Sequence, residues 1–181
     1  MRLRRVVSRV NLQSTDFELF GLTQQFAQDR AVVDARWKEL QREAHPDKFA
    51  AHGAAAQRVA MQWSVRINEA YQRLKAPLQR AAYLCELAGS PVNAHSNTAM
   101  PAAFLMQQMQ WREELDEAQG TDDLDALREN VDAVQKDLLL VCARQLDELH
   151  DYGAAVQSVR SLMFIEKFAH DLDLAFDKLE I

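Results

Sequence analysis

The sequence lacks long apolar runs and contains little glycine, proline or cysteine. No uninterrupted apolar stretch approaches the roughly 20 residues that a membrane-spanning helix requires. Five glycines and four prolines in 181 residues provide few turns, which favours long helices over strands. The two cysteines, Cys85 and Cys142, are far apart and lie in helical patterns, so we interpret them as buried, reduced thiols rather than a metal-binding pair. These absences predict an all-α cytoplasmic protein that holds no metal and does not contact a membrane.

Charge is distributed unevenly along the chain. The net charge is −6. Residues 1–80 contain 14 Lys and Arg against 8 Asp and Glu, whereas residues 81–181 contain 7 against 19. A basic first half and an acidic second half indicate two modules with different partners.

Residues 1–15 contain four arginines and no acidic residue. They lack the apolar core and the cleavage site of a secretory signal. Organellar transit segments are also rich in arginine, but the amphipathic pattern here is short, so we interpret the segment as a basic N-terminal tail. A helical protein that binds nucleic acid is an alternative, although the acidic second half argues against it. The arginines that this alternative would use are Arg2, Arg4, Arg5 and Arg9.

Two amphipathic helical patterns flank the segment EAHPDKF at residues 43–49. The first predicts a helix over 29–44 that is capped by Asp29. This helix should end before Pro46, because proline lacks an amide hydrogen and disfavours the helical conformation of the preceding residue. The second pattern predicts a helix over 54–75, with a loop at 45–53 between the two. The expected core of this antiparallel hairpin is Trp37, Leu40, Trp63, Ile67 and Leu74, next to a short first helix at 16–22.

The second half of the chain predicts a brief helix, a linker and a three-helix bundle. Gly89 ends a helix at 78–88, and a segment rich in Ser, Asn and Pro follows. Pro101 is expected in the first turn of a helix at 101–119. Gly120 then separates it from a second helix, and a third runs over about 154–179; short connections favour an antiparallel bundle. The expected core stripe of the second helix is Leu127, Val131, Val134, Leu138, Val141 and Leu149.

The helix at 101–119 has more apolar side chains than one core face requires. Its expected core face is Phe104, Gln108, Trp111 and Leu115. Leu105, Met106 and Met109 lie roughly 100° to 200° around the helix from Phe104. In the last helix, four consecutive apolar residues at 162–165 cover the whole circumference, and we expect Phe164 to face away from the core. Scattered exposed apolar residues are common on any surface, but two such excesses with adaptable methionines favour a protein-binding surface.

The His45-Pro46-Asp47 segment has no partner that would make it catalytic. His45, Asp47 and His52 lack the helix-face spacing of zinc sites of the H-E-x-x-H type. The chain contains no glycine-rich phosphate loop and no Gly-x-Ser-x-Gly motif. We therefore expect no catalytic residue, no cofactor and no metal, and His45 is equally well explained as a cap at a helix end.

The tripeptide HPD between two amphipathic helices, followed by KF and later by INEAYQRL, resembles the J-domain of DnaJ-type co-chaperones. The chain is also similar to the HscB family, the J-proteins of iron–sulfur cluster assembly. The similarity lies in FELFGL near the start and AFLMQQMQWREELDE in the acidic half. The resemblance covers residue 16 to the C terminus. It implies a J-domain at 16–77, a connecting helix and linker at 78–100, and a three-helix client-binding bundle at 101–181.

The resemblance also implies partners and binding residues. A DnaK/HscA-type chaperone would bind the J-domain, with Asp47 contacting a chaperone arginine, and its ATPase would be stimulated by a co-chaperone that is not itself an enzyme. The chaperone-binding residues would be His45, Pro46, Asp47, Lys48, Lys38 and Arg42. The client would be the iron–sulfur scaffold protein IscU. The client-binding residues would be Leu105, Met106, Met109, Glu113, Glu117 and Phe164.

The resemblance leaves particular points open. Asp34, Glu39 and Glu43 dilute the basic face around Lys38, which is consistent with a dedicated chaperone. Gln110 stands where relatives can have an acid. The metal-binding cysteine extension of some eukaryotic members is absent. We expect a monomer, and a J-protein for a different client is the alternative.

Overall fold

A computed structural model describes residues 11–93 and 100–179, and within these ranges the chain contains helices and no strand. The predicted all-α fold is therefore confirmed. The chain divides into two compact units, of which the first ends at Leu84 and the second begins at Cys85. The basic tail arginines at positions 2–9 lie outside the described residues, as do 94–99 of the predicted linker and 180–181. None of the described helices is long and apolar enough to cross a membrane.

From residue 11 onward, the first unit contains three α-helices and one 3₁₀ helix, and a fourth α-helix begins in it. They are α1 (Asp16–Phe20), α2 (Arg30–Ala44), the 3₁₀ helix (Pro46–His52), α3 (Ala54–Lys75) and α4 (Pro77–Leu87). Asp29 caps α2 as predicted, since its Oδ1 accepts the amide hydrogen of Ala31 at 2.8 Å. The first helix is shorter than predicted, because Gly21 adopts a left-handed conformation (φ 63°) that ends α1.

A buried carboxylate joins α1 to α3. Asp16 is completely buried, and its two oxygens lie 2.6 Å from Arg66 Nη2 and 2.6 Å from Arg73 Nε. The Asp16 amide donates to the Tyr83 hydroxyl of α4 at 3.0 Å. Arg66 also donates to the carbonyl of Ser14 at 2.8 Å. This ionic junction fixes the short first helix against the elements that follow it.

Helices α2 and α3 pack as the predicted antiparallel hairpin, but its two tryptophans are less buried than expected. Leu40, Ile67 and Leu74 are buried, whereas Trp37 and Trp63 are only partly buried. The Trp37 ring stacks on Tyr71 with ring centroids 4.7 Å apart. Its indole N–H donates to Asn68 Oδ1 at 2.9 Å, which keeps that edge of the ring at the polar border of the hairpin.

Residues 100–179 of the second unit form three long helices. They are α5 (Ala102–Glu117), α6 (Thr121–Ala143) with a π-helical extension (Arg144–Glu148), and α7 (Tyr152–Leu179). Pro101 is the N-cap of α5 rather than a residue of its first turn, because its ψ of 137° is extended. The expected core residue Trp111 is completely buried. A cluster of seven residues surrounds it: Trp111, Leu124, Leu127, Val131, Ile165, Phe168 and Leu172.

The predicted core stripe of α6 is wrong at its C-terminal end. Val141 and Leu149 are exposed, whereas Cys142 and Leu146 are buried. Cys142 stands eleven residues after the buried Val131 and therefore shares its face, whereas Val141 lies about 80° away. Leu149 follows the π-helical turns after Ala143, which have more residues per turn than an α-helix. Extrapolation at the α-helical period therefore misplaces Leu149.

Candidate protein-binding surfaces

The HPD tip, which we define as His45, Pro46, Asp47 and Lys48, lies at the turn between α2 and α3. His45 leaves the helix with φ −60° and ψ 125°, and Pro46 begins the 3₁₀ helix. The loop expected at 45–53 is therefore a 3₁₀ helix, for which proline supplies a suitable φ at the first position. His45 Nδ1 accepts the amide hydrogen of Asp47 at 3.3 Å, and the His45 carbonyl accepts that of Lys48 at 3.1 Å. His45 thus caps the element that carries Asp47.

The Asp47 side chain is 90% exposed. The nearest cationic group is the His45 ring, whose Nδ1 lies 3.6 Å from Asp47 Oδ2 and is charged only when protonated. Lys38, Arg42 and Lys48 are also exposed. In the part of the chain that the structure describes, none of these three cations forms an ion pair with a carboxylate. The tip and the adjacent face of α2 therefore present one carboxylate and three cations to solvent.

Two of the acids expected to dilute this basic face are bound to neighbouring arginines. Asp34 Oδ1 lies 2.7 Å from Arg30 Nε and accepts the Tyr71 hydroxyl at 2.9 Å. The hydrogen bond from Arg30 is the main reason that the pKa of Asp34 lies below its ordinary value. Glu39 pairs with Arg36. Asp34 and Glu39 thus balance Arg30 and Arg36 within α2, while Lys38 and Arg42 remain exposed on the same helix.

A polar network behind the HPD tip was missed by the sequence-based analysis. Gln41 Nε2 donates to Asn68 Oδ1 at 2.6 Å, and the Ser64 hydroxyl donates to Gln41 Oε1 at 2.7 Å. Asn68 Oδ1 also accepts the Trp37 indole hydrogen. The signal in the sequence is a polar residue four positions from a polar or aromatic one on each of two facing helices. The network sets the register of α2 against α3, and with it the position of the tip.

Apolar side chains of α5 form a second surface, as the periodicity predicted. Met106 and Met109 are each 72% exposed and Leu105 is 44% exposed. We refer to these three residues as the methionine patch. Glu113 and Glu117 are exposed further along α5. The patch is therefore an adaptable apolar surface with carboxylates beside it.

Phe164 does not face away from the core, so that prediction is wrong. Its ring packs edge-on against Phe104 at a centroid distance of 5.9 Å and parallel to Phe168 at 6.2 Å. The Arg112 guanidinium lies over it, 5.6 Å from the ring centroid. Leu162 and Ile165 are buried, and Phe164 closes the edge of the aromatic cluster instead of projecting from it.

The remaining polar positions show no metal or redox centre in the described ranges. No group of three His, Cys, Asp or Glu side chains gathers there as metal ligands. Gln110 donates from Nε2 to Glu114 Oε1 at 2.8 Å. Cys85 and Cys142 are free and buried. Burial raises the pKa of the Cys85 thiol to about 11 and is the main cause that raises that of Cys142 to about 12.

Known proteins resemble the chain over nearly its whole length. Co-chaperone protein HscB homologs of Burkholderia thailandensis and Burkholderia multivorans are each 45% identical over 174 residues, which is 94% of this chain and 99% of theirs. The family model described as the HSCB C-terminal oligomerisation domain matches residues 100–173.

Solved structures agree with the sequence relatives. Chaperone HscB from Vibrio cholerae is 35% identical, with a TM-score of 0.79 over 92% of this chain and 99% of that one. Human co-chaperone protein HscB is 25% identical, with a TM-score of 0.87 over 95% of this chain and 86% of that one. These likenesses define a co-chaperone, which favours a regulator of another protein over an enzyme. The chain belongs to the HscB family.

Proposed function

We propose that this co-chaperone binds the iron–sulfur scaffold protein IscU and delivers it to a DnaK/HscA-type chaperone, whose ATPase it stimulates. In this proposal a J-domain at 16–77 contacts the chaperone and a bundle at 101–181 holds the client, with residues 78–100 connecting them. The protein acts as a monomer in the cytoplasm and catalyses no reaction itself. The observation that carries the proposal is the exposed Asp47 carboxylate at the HPD tip.

The HPD tip suits a chaperone surface that contains an arginine. The exposed Asp47 carboxylate is free to accept a bidentate, charge-assisted contact from an arginine of the partner. Lys38 and Arg42 on α2 provide positive charge for an acidic partner surface. His45 supports the geometry by capping the 3₁₀ helix. The family resemblance assigns this role to the same four tip residues.

Stimulation requires more than binding. A co-chaperone accelerates ATP hydrolysis only when it binds the hydrolysis-competent state of the chaperone more tightly than the other state. The register of α2 against α3, fixed by Gln41 and Asn68, keeps Asp47 and the basic face of α2 in one arrangement. A chaperone state that contacts Asp47 and the basic face of α2 at the same time would therefore bind more tightly than one that contacts only one of them.

The methionine patch suits the client. Met106 and Met109 are the most exposed large apolar side chains of α5, and flexible thioethers adapt to the shape of a partner. Glu113 and Glu117 would contact basic residues of IscU at the rim of the interface. Phe164 contributes through its exposed edge and by holding Arg112 beside the patch. Joining both binding sites in one chain raises the effective concentration of client at the chaperone.

The ATPase rate of the chaperone tests the first half of the proposal. His45→Gln or Asp47→Asn should abolish stimulation, because each changes the tip and nothing in the bundle. Asp137→Asn is a matched control, since Asp137 is an exposed carboxylate of α6, and it should stimulate like the wild type. Full stimulation by Asp47→Asn would show that docking occurs elsewhere.

Titration of IscU by calorimetry tests the second half. Leu105→Ala combined with Met109→Ala should weaken binding at least about tenfold, because anchor residues typically contribute about 1–3 kcal/mol each. Adding Phe164→Ala should weaken it further and lower the melting temperature, since this ring closes the core. The double variant should still fold and stimulate the basal ATPase. Unchanged affinity would place the client elsewhere.

A further inference from the structure

A groove of about 560 Å³ lies between α5 and α7, at the end of the bundle where α6 begins. Buried side chains of the aromatic cluster, Leu124 and Phe168, form its floor. Leu174 and Leu179 border it and are exposed. Its volume is within the range of about 300–1,000 Å³ that is usual for binding pockets. The α5–α7 groove is an apolar depression that the fold of this unit leaves open.

The methionine patch leads into the groove along one stripe of α5. Leu105, Met109, Arg112 and Asp116 follow each other at i, i+4, i+7 and i+11, so they share one face of the helix. The first two belong to the patch, and the last two line the groove. Arg112 also lies over Phe164 of α7, which places the start of the groove beside the predicted client-binding phenylalanine. The patch and the groove are therefore continuous.

Carboxylates dominate the second half of the chain, since residues 81–181 contain 19 Asp and Glu against 7 Lys and Arg. The groove lining itself contains two carboxylates, Asp116 and Asp171. Glu113 and Glu117 are exposed elsewhere on α5, and Glu117 borders a separate depression between α5 and α6. Within the described residues, none of these four carboxylates forms an ion pair. The groove lining also contains two cations, which are Arg112 and Lys178. Arg112 lies over the Phe164 ring. An apolar floor with unpaired acids at its rim complements apolar side chains that stand beside lysine or arginine.

We propose that the α5–α7 groove is the second half of the client site and receives a segment of the client that carries apolar side chains next to basic ones. This inference rests on the proposed function, because it concerns the same client. It makes the client interface larger than the methionine patch and extends it to the last two turns of α7. The patch supplies adaptable anchors, and the groove supplies a preformed depression that contains two carboxylates, Asp116 and Asp171.

Three double variants of the full chain, titrated with IscU by calorimetry, test the inference. The groove variant is Leu174→Ala with Leu179→Ala, and the patch variant is Leu105→Ala with Met109→Ala. The control is Leu140→Ala with Leu149→Ala, which removes two leucines that are 63% and 58% exposed. Leu140 lies about 24 Å along α6 from Leu124, at 1.5 Å per residue. We expect the groove variant to weaken binding at least about fivefold and the control to leave it unchanged.

The rim gives a second measurement that does not depend on the leucines. Asp116→Asn with Asp171→Asn should weaken binding and reduce its dependence on salt, because two charges that attract the client are removed. Asp137→Asn, outside the groove, should change neither. If the groove variant loses stability, this rim variant decides the question.

Each outcome separates the inference from the proposed function. Normal binding by the groove and rim variants, with weakened binding by the patch variant, would overturn the inference and leave the proposed function in place. Normal binding by all variants would overturn both. A concentration-dependent dimer in sedimentation that the groove variant abolishes would identify a second copy of the chain as the occupant, and would likewise overturn the inference.

Discussion

In the first unit a buried ionic junction around Asp16 joins the helices, whereas in the second unit an aromatic cluster around Trp111 does so. Asp16 contacts two arginines at 2.6 Å, and these contacts have directions that permit one arrangement. The Trp111 ring stacks on Phe168 at 5.6 Å and meets Phe104 edge-on at 6.2 Å, and such contacts depend mainly on area and shape.

The difference corresponds to what each unit presents to solvent. The first presents charged groups at the HPD tip, which must be held in a fixed geometry to match charged partners. The second presents the methionine patch, whose side chains adapt. Ionic junctions contribute geometric definition more than stability, while apolar burial contributes stability.

The largest loss should come from the aromatic cluster. Trp111→Ala leaves a cavity and an unpaired Asn130, whose Oδ1 accepts the indole hydrogen at 2.9 Å, and should lower the free energy of unfolding by about 3–5 kcal/mol. Hydrogen exchange of the intact chain should accelerate in α5–α7 and not in α1–α3. Trp63→Ala, a partly buried tryptophan of the first unit, should cost clearly less. Equal losses would contradict the aromatic basis of the second unit.

The second-largest loss of stability should come from the ionic junction around Asp16. Asp16→Asn removes the charge but not the volume, and leaves two arginines without their counter-ion. The expected loss is about 3 kcal/mol in denaturant unfolding, with faster hydrogen exchange confined to the first unit. Asp47→Asn, the same change at an exposed site, provides the control. A loss under about 1 kcal/mol would mean that the arginines find other partners.

Alkaline pH should weaken the second unit specifically. Both buried thiols belong to it, and they remain protonated in the folded chain up to pH values near 11. The unfolded chain ionises them from about pH 9, so it gains stability relative to the folded chain as the pH rises, and the free energy of unfolding falls by roughly 1–3 kcal/mol at pH 10. A Cys85→Ala and Cys142→Ala double variant should lack this part of the decline. An identical pH profile would show that the thiols ionise in the folded protein.

The polar network behind the HPD tip should contribute less to the free energy of unfolding than the aromatic cluster or the ionic junction. Asn68→Ala removes the acceptor of the Trp37 and Gln41 hydrogen bonds and should cost about 1 kcal/mol in chemical unfolding. It should also reduce chaperone stimulation, because the helix register that positions the tip is less well defined. Asn130→Ala, which removes the acceptor of Trp111, is the matched change in the other unit and should leave stimulation intact. Full stimulation by Asn68→Ala would separate the network from function.

The smallest effect on stability is expected at the tip itself. His45→Gln and Asp47→Asn alter exposed groups, so the free energy of unfolding should change by no more than roughly 0.5 kcal/mol. A larger change in circular dichroism melts would show that the tip has a structural role in the first unit.

Local chemistry made part of the fold predictable. Asp29 and Pro46 act on their immediate neighbours, so the start and end of α2 follow from the residues themselves. The exposure of Met106 and Met109 followed from periodicity, because Trp111 and Leu115 already use the core face of α5. The binding roles of the tip and of the patch stay predictions, since they depend on partners.

The misses have more than one cause, of which contact between distant segments is one. Phe164 is drawn into the core edge by Phe104, sixty residues away. Leu149 was misplaced because the helical period changes beyond Ala143, whereas Val141 was a local error, since Cys142 and not Val141 lies three turns from Val131 on the same face. The Gln41–Asn68 network depends on which helix packs opposite α2, which a single chain pattern does not specify.

The Asp16 junction also has a consequence for the order in which the protein is made. Asp16 leaves the ribosome fifty residues before Arg66 and fifty-seven before Arg73, a delay of roughly 3–10 s at about 5–20 residues per second. During that interval the nascent α1 segment carries a carboxylate whose buried partners do not yet exist. The first residues of the fold are therefore among the last to dock, since α1 cannot form its ionic junction before the end of α3 has been made.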